Sequence, residues 1–222
     1  MSSNIELLTK KFEENRNQAE AEPMKKYMKG HFEYLGIKSP LRKELEKQFF
    51  KETGILKEPF NKEFVKALWE KEEREYQYTA LTYLEKSLNK LKKADFPFME
   101  QLLTRKSWWD TVDAIAPKPV GKIAEKFPEV ITETIDDWAV DDNMWLRRAA
   151  LLFQLKYKGK TNDALLYHYI RQNADSKEFF IQKAIGWALR EYSKTNPASV
   201  KKFIEAQPLA PLSVREGSKY LD

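Results

Sequence analysis

Cysteine is absent from this chain of 222 residues. That one absence excludes disulfides, thiolate zinc sites and iron–sulfur clusters together. Histidine is nearly as scarce. His31 and His168 stand far apart in the sequence, so no protein-built transition-metal site is expected and no cofactor is called for. Seven glycines and ten prolines are few turn-formers for this length. With so many Leu, Ala, Glu and Lys beside them, the chain reads as helices rather than many short strands. Long apolar runs are missing too. No window approaches the roughly eighteen residues that span a membrane, and the N-terminal MSSNIELLTKKFEEN lacks the apolar core of a signal peptide. The cytoplasm is the expected location. The chemistry left to the chain belongs to carboxylates, aromatics, lysines and hydroxyls.

Charge is present in quantity and unevenly spread. Charged residues make up 33% and hydrophobic ones 42%, with a net charge of +5. From Asn143 to Asp222 there are 14 Lys and Arg against 7 Asp and Glu, whereas residues 1–142 carry 25 against 27. A basic half beside a near-neutral half suits one face turned toward an anionic polymer; a solvated lysine-rich surface is the plainer reading.

Prolines fall regularly between stretches of helical periodicity, at Pro23, Pro40, Pro59, Pro97, Pro117, Pro119, Pro128, Pro197, Pro208 and Pro211. The sequence predicts helices over 3–20, 23–34, 40–52, 60–70, 73–92, 95–104 and 108–115. Further helices are predicted over 118–126, 128–138, 143–156, 161–172, 176–194, 197–206 and 211–219. At Ser39-Pro40 a serine can cap and the proline fits the first helical position. Leu41, Leu45 and Phe49 then recur as one apolar stripe. Short loops make consecutive helices antiparallel neighbours, and pairs of them form units of roughly 30–45 residues, the size of HEAT-like repeats. Such units stack into a curved solenoid with one continuous core. The expected fold is therefore all-α, a helical-repeat solenoid forming a single domain over residues 1–222.

Three segments carry side chains suited to chemistry. In Ser107-Trp108-Trp109-Asp110-Thr111-Val112-Asp113, a helix puts Trp109 and Asp113 on one face, a turn apart. A carboxylate beside an indole suits a cationic substrate, the acid supplying charge and the ring cation–π attraction. Trp108 reads as core, and Ser107 or Asp110 as the cap of this helix. In the second segment, NMWLRRAALL from Asn143, Met144, Ala149 and Leu152 pack while Arg147 and Arg148 point elsewhere. An arginine fork fits phosphate; an ion pair to Asp136, Asp137, Asp141 or Asp142 is the alternative for one of the two. The third, from Phe179 to Lys194, places Trp187, Arg190 and Lys194 on one helix stripe. An aromatic flanked by two cations matches a nucleic-acid-facing surface, with a buried Trp187 and a solvated Arg190 as the alternative. Gly186 inside that helix costs about 1 kcal/mol relative to Ala, so a packing or access reason is expected. Lys156 and Lys158 extend the basic stripe.

Together WWDTVD, NMWLRRAALL and FIQKAIGWALREYSKTNP, in this order and spacing, resemble the AlkD family of DNA alkylation repair glycosylases, its bacterial type in particular. FEYLGIKSPLRKEL resembles the family's early helix-turn-helix, and the likeness runs over roughly residues 5–220. The resemblance implies stacked HEAT-like helical pairs with a concave basic surface holding duplex DNA. It implies hydrolysis of the N-glycosidic bond of N3-alkyladenine and N7-alkylguanine, without insertion of the base into a pocket. Asp113 is then the catalytic carboxylate, Trp109 and Trp187 line the site, and Arg148 and Tyr27 contact DNA. An alkylated base is already cationic and leaves readily. The acid that ordinary glycoside hydrolysis needs becomes dispensable, and one carboxylate suffices. No lysine stands beside Asp113 in sequence to form a Schiff base, so a monofunctional enzyme leaving an abasic site is expected. The expected partner is double-stranded DNA containing alkylated bases, met by a monomer with no metal and no membrane. A non-catalytic HEAT-repeat protein that binds damaged or structured DNA competes with this reading, as does a protein–protein scaffold.

Overall fold

The computed structural model describes residues 2–221; among them there is no β-strand, only one isolated bridge between Glu33 and Glu73. The chain gathers into two compact units, Met1–Leu91 and Lys92–Asp222.

The first unit contains α1 (Ser2–Glu13), α2 (Gln18–Tyr27), α3 (Ser39–Thr53), α4 (Lys62–Glu70) and α5 (Arg74–Lys86). They enclose Leu8, Phe12, Phe49, Phe64, Trp69 and Tyr83. The break between α1 and α2 falls at Asn17, not at Pro23. The Asn17 side chain accepts from the Glu20 amide and caps α2, while Pro23 rides inside that helix. α2 also ends earlier than its periodicity suggests, because Lys29 and Gly30 take left-handed angles, φ +55° and +75°. Their amides donate to the Lys26 and Lys25 carbonyls in the crossed pattern of a Schellman stop. The non-helical stretch that follows is held by a buried carboxylate. Glu75 accepts from the amides of Leu35, Gly36 and Ile37 at 2.9–3.0 Å. At Gly36, φ +85°, a Cβ would stand 2.0 Å from the Asn17 carbonyl oxygen, so only glycine fits. α3 starts one residue before the predicted boundary. Lys38 takes the cap position, Ser39 makes no cap bond and Pro40 sits in the first turn. Of its expected stripe Leu45 and Phe49 are buried, and Leu41 is exposed.

The second unit contains α6 (Phe96–Thr104), α7 (Trp109–Ile115), α8 (Gly121–Lys126), α9 (Asp136–Trp138) and α10 (Met144–Leu152). It continues with α11 (Asp163–Asn173), α12 (Phe179–Ser193), α13 (Pro197–Ala206) and α14 (Pro211–Gly217). Pro117 and Pro119 were expected to divide two helices. Instead a π-helical turn over Ala116–Val120 carries α7 directly into α8. A proline nitrogen has no proton for the i−4 carbonyl and its ring clashes there; the wider turn relieves both problems. Asn143 and Asn162 cap α10 and α11 through their side-chain oxygens.

A repeat underlies both units. α3, α5, α7, α10 and α12 begin at residues 39, 74, 109, 144 and 179, a constant period of 35 residues. Within the first unit α3 meets α5 through Glu46–Thr79 and Phe50–Tyr83. Within the second, α10 packs on both α7 and α12. These five are the ladder helices of an all-α helical repeat, the architecture that helix spacing led us to expect. The fifth residue of each is Lys43, Tyr78, Asp113, Arg148 and Lys183 in turn, so these side chains are equivalent in the repeat.

Candidate active site

Two of those equivalent positions meet in the second unit. Asp113 on α7 and Arg148 on α10 form a two-pronged ion pair, with Nε donating to Oδ1 at 2.7 Å and Nη2 to Oδ2 at 2.8 Å. The remaining nitrogen, Nη1, donates to the Phe180 carbonyl in the first turn of α12, so one side chain ties three ladder helices together. Side-chain exposure is 17% for Asp113 and 5% for Arg148. A planar fork of this kind fixes orientation as well as charge. Burial pushes the Asp113 carboxyl above its ordinary pKa. The hydrogen bonds and charge of Arg148 oppose that rise, and the neighbouring Asp110 adds to it. Each carboxylate oxygen keeps a lone pair beyond its bond to Arg148. A nearby cation, or the proton of a water molecule, can use it.

Aromatic rings crowd the same junction. Trp108, at the cap position of α7, meets Trp145 edge-on at 5.5 Å between ring centroids and Phe180 at 5.2 Å. Trp145 and Phe180 are themselves 5.1 Å apart, and the Arg148 guanidinium lies 5.8 Å from the Phe180 ring centre. Sequence reasoning missed Trp145 and Phe180 as site residues. They are the second residues of α10 and α12, and the 35-residue period is the signal that pairs them. Trp109 and Trp187 are each half-buried. Trp109 opens α7, one turn before Asp113 on the same face. Trp187 lies two turns, about 10 Å, along α12 from Phe180 on one stripe.

Neither expected cap of α7 acts as one. The Ser107 hydroxyl donates back to the Leu103 carbonyl at 2.5 Å, closing the end of α6. Asp110 is the second residue of α7, where an acid complements the positive end of the helix dipole. The two arginines part company. Arg147 bonds the backbone carbonyls of Asp141 and Asp142, whereas Arg148, the residue expected at a phosphate, is buried on Asp113.

Cations of the third segment have acidic partners. Glu216 on α14 pairs with Lys219 at 2.9 Å, and with Lys183 and Arg190 at 3.2 Å each. Hydrogen bonds from Lys219 and Lys183 hold the Glu216 carboxyl down at about 2. Gly186 has its packing reason here, because a Cβ would stand 2.5 Å from the Glu216 Cβ; α14 lies directly against α12. Lys194 pairs with Glu191 at 2.7 Å and lies 5.2 Å from the Tyr220 ring centre. Lys156 and Lys158 are exposed just beyond α10, Lys158 with a left-handed φ of +52°. Lys158 and Lys194 line one cavity of about 250 Å³ together with Leu166 and Tyr192, and neither Asp113 nor Trp109 reaches it. Tyr27 belongs to the first unit, exposed at the end of α2. Among the described residues no group of three or more His, Asp or Glu is placed to hold a metal ion, and no helix is long and apolar enough to cross a membrane.

The family model described as DNA alkylation repair enzyme matches residues 8–221. Among solved structures the chain is similar to a predicted DNA alkylation repair enzyme from Enterococcus faecalis. Identity is 38%, 93% of this chain and 96% of that one are covered, and the TM-score is 0.84. The fold is also that of AlkD2 from Streptococcus mutans, at 22% identity, coverage of 82% and 97%, and a TM-score of 0.61. It is shared by smu.31 from Streptococcus mutans UA159, at 20% identity, coverage of 82% and 98%, and a TM-score of 0.60. No curated protein matches the chain significantly.

Proposed function

Since the chain belongs to the family of DNA alkylation repair enzymes, we propose that it is a DNA glycosylase acting on cationic alkylated bases, N7-alkylguanine and N3-alkyladenine, in duplex DNA. The observation that carries this proposal is Asp113. Its carboxylate is largely withdrawn from water, fixed in plane by a two-pronged arginine, and one helical turn from an indole.

Alkylation at N7 or N3 turns the base into a cation. Breaking the C1′–N bond lets it depart with the bonding electron pair as a neutral molecule, and positive charge passes to the sugar as an oxocarbenium ion. Ionised Asp113 stabilises that ion in surroundings drier than bulk water, where Coulomb attraction is stronger. Water adds its oxygen to C1′ and gives up a proton to Asp113 or to solvent, leaving an abasic sugar. Trp109 and Trp187 bracket the sugar and base and add cation–π attraction. No acid is needed to protonate the leaving base, and without an amine nucleophile the strand stays intact.

Arg148 acts as a positioning residue that keeps Asp113 oriented and ionised against its burial. Its contact with a phosphate requires releasing part of that pair, which leaves buried charge uncompensated. Tyr27, Lys156, Lys158, Arg190 and Lys194 serve the DNA backbone in this scheme. The scheme handles the lesion without insertion of the base into a pocket, as the family resemblance implies. The chain acts as one domain over residues 1–222, as a monomer in the cytoplasm, with no metal and no cofactor.

Release of 7-methylguanine from methylated duplex DNA tests the scheme. Wild type releases the base, and Asp113→Asn is slower by about 100- to 1000-fold, the loss typical of one removed charge-stabilising group. Equal rates, or no release by either protein, overturn it.

A further inference from the structure

We propose that Glu216 on α14 is a positioning residue for base excision: it draws Lys183 and Arg190 aside from the Trp187 indole and leaves that ring to the cationic base. The inference rests on the glycosylase reading above, in which Trp187 meets the lesion. Lys183, Trp187 and Arg190 stand at i, i+4 and i+7 of α12, so the two cations flank the indole on one stripe. Helical side chains lean toward the N-terminus, which carries the indole over the turn of Lys183 and brings Arg190 back toward the turn of Trp187. Left to themselves, an ammonium and a guanidinium so placed would settle on the nearest ring face by cation–π attraction. Glu216 holds them elsewhere. Its Oε1 stands 3.2 Å from Lys183 Nζ, and its Oε2 accepts from Arg190 Nη1 at 3.2 Å and from Lys219 Nζ at 2.9 Å. One carboxylate thus spans two turns of α12, about 10 Å of helix.

The indole itself is a second observation. Trp187 is half-buried, and among the described residues it is the one tryptophan of six with no ring, cation or hydrogen-bond contact. α14 is seated so as to deliver the acid. Gly186 admits the Glu216 Cβ, and at Gly217 an added Cβ would stand 3.1 Å from the Leu189 Cβ, so the two helices meet flush. The buried Ser213 hydroxyl donates to the Gln182 carbonyl at 2.9 Å and fixes the start of α14 on α12. With its pKa held down at about 2, Glu216 keeps its charge wherever Asp113 has one.

The repeat supplies a third observation. The fifth positions of α7, α10 and α12 hold Asp113, Arg148 and Lys183. Asp113 and Arg148 cancel in their fork, so this row keeps one positive charge, that of Lys183. A free positive charge there repels a base that is itself cationic, and repels the oxocarbenium ion that follows. Glu216 supplies the balancing negative charge from outside the ladder helices.

Single-turnover release of 7-methylguanine from methylated duplex, over a series of protein concentrations, separates the rate of excision from the affinity for DNA. Glu216→Gln frees both cations and slows excision by about 10-fold, the scale of one well-placed cation–π contact. Its half-saturating concentration does not rise, because the variant has gained positive charge. Glu216→Gln/Lys183→Met removes one freed cation and runs about 3-fold faster than Glu216→Gln, half of the loss on a logarithmic scale. A merely structural acid predicts the reverse, since the double variant has lost more of the contact between α12 and α14. A Glu216→Gln protein with the wild-type rate, or a double variant no faster than the single one, overturns the positioning role and leaves the glycosylase proposal standing. Loss of the helical circular dichroism signal in Glu216→Gln marks a structural fastener alone and does the same. No release by the wild type overturns both proposals.

Discussion

Two carboxylates in the second unit are gripped by basic side chains, and the grips differ. Asp113 meets one arginine in a planar fork, inside a junction of three helices. Burial outweighs that single partner, and the carboxyl pKa is raised. Glu216 meets Lys219, Lys183 and Arg190, with the lysines themselves well exposed, and its pKa is held near 2. The balance between lost water and gathered counter-charge separates the two. An acid with surplus counter-charge is a structural fastener between α12 and α14. An acid held with barely enough is available to a further cation, which is the condition a developing oxocarbenium ion requires.

Acid separates the pair most sharply. In the proposed scheme Asp113 must be ionised, so excision is expected to fall away as the pH drops through a pKa lying above the ordinary carboxylate value of about 4. Its effect on folding has the opposite sign. The folded state holds that proton more tightly than the unfolded chain, so the contribution favours folding below about 4 and is lost as the pH rises through the folded pKa. Activity therefore disappears in acid while helicity persists. A pH–rate profile beside circular dichroism at the same pH values checks this, and coincident midpoints erase the distinction.

Removing a counter-ion is the next largest effect. Arg148→Ala strands a buried carboxylate and lowers unfolding free energy by about 3–5 kcal/mol. Arg148→Lys recovers only part, because an ammonium cannot form the fork. Urea denaturation reads both. A loss below about 1 kcal/mol reduces Arg148 to an ordinary surface arginine.

The smallest effect lies at the other carboxylate. Glu216→Gln costs on the order of 1 kcal/mol at neutral pH, since its partners are partly screened by solvent. Because the Glu216 pKa is lowered, that difference is complete above the unfolded value of about 4 and fades as the pH falls toward about 2. A difference that persists undiminished at the acid end contradicts the assignment of this group as a charged fastener.

Helices were legible in the sequence because an amphipathic face is written residue by residue. Their ends were less so. Asn17 caps and Pro23 does not, and the difference depends on backbone angles that composition does not reveal. Pro117 and Pro119 pass through a π turn that surrounding packing holds open. Trp109 and Asp113 share a face by a spacing of four, a purely local fact that could be read directly. The partnership of Asp113 with Arg148 spans 35 residues and shows only when the ladder helices are aligned by their starts. Without that alignment a planar guanidinium was matched to phosphate, or to an acid close by in the sequence. Trp145 and Phe180 escaped notice for the same reason. Lys183 was in plain view, but whether a lysine has an acid beside it is a property of the folded chain.

The junction around Asp113 also has an optical consequence. Two of the six indoles, Trp108 and Trp145, stand edge to face at 5.5 Å and share Phe180 with the guanidinium that holds the acid. Transitions of rings so close couple to one another and give the site a chiral signature in the near ultraviolet. The Arg148 fork is bonded to the Phe180 carbonyl, so loss of the fork is expected to alter that signature. The protein therefore carries a built-in spectroscopic label beside the Asp113 carboxylate, readable without any added dye.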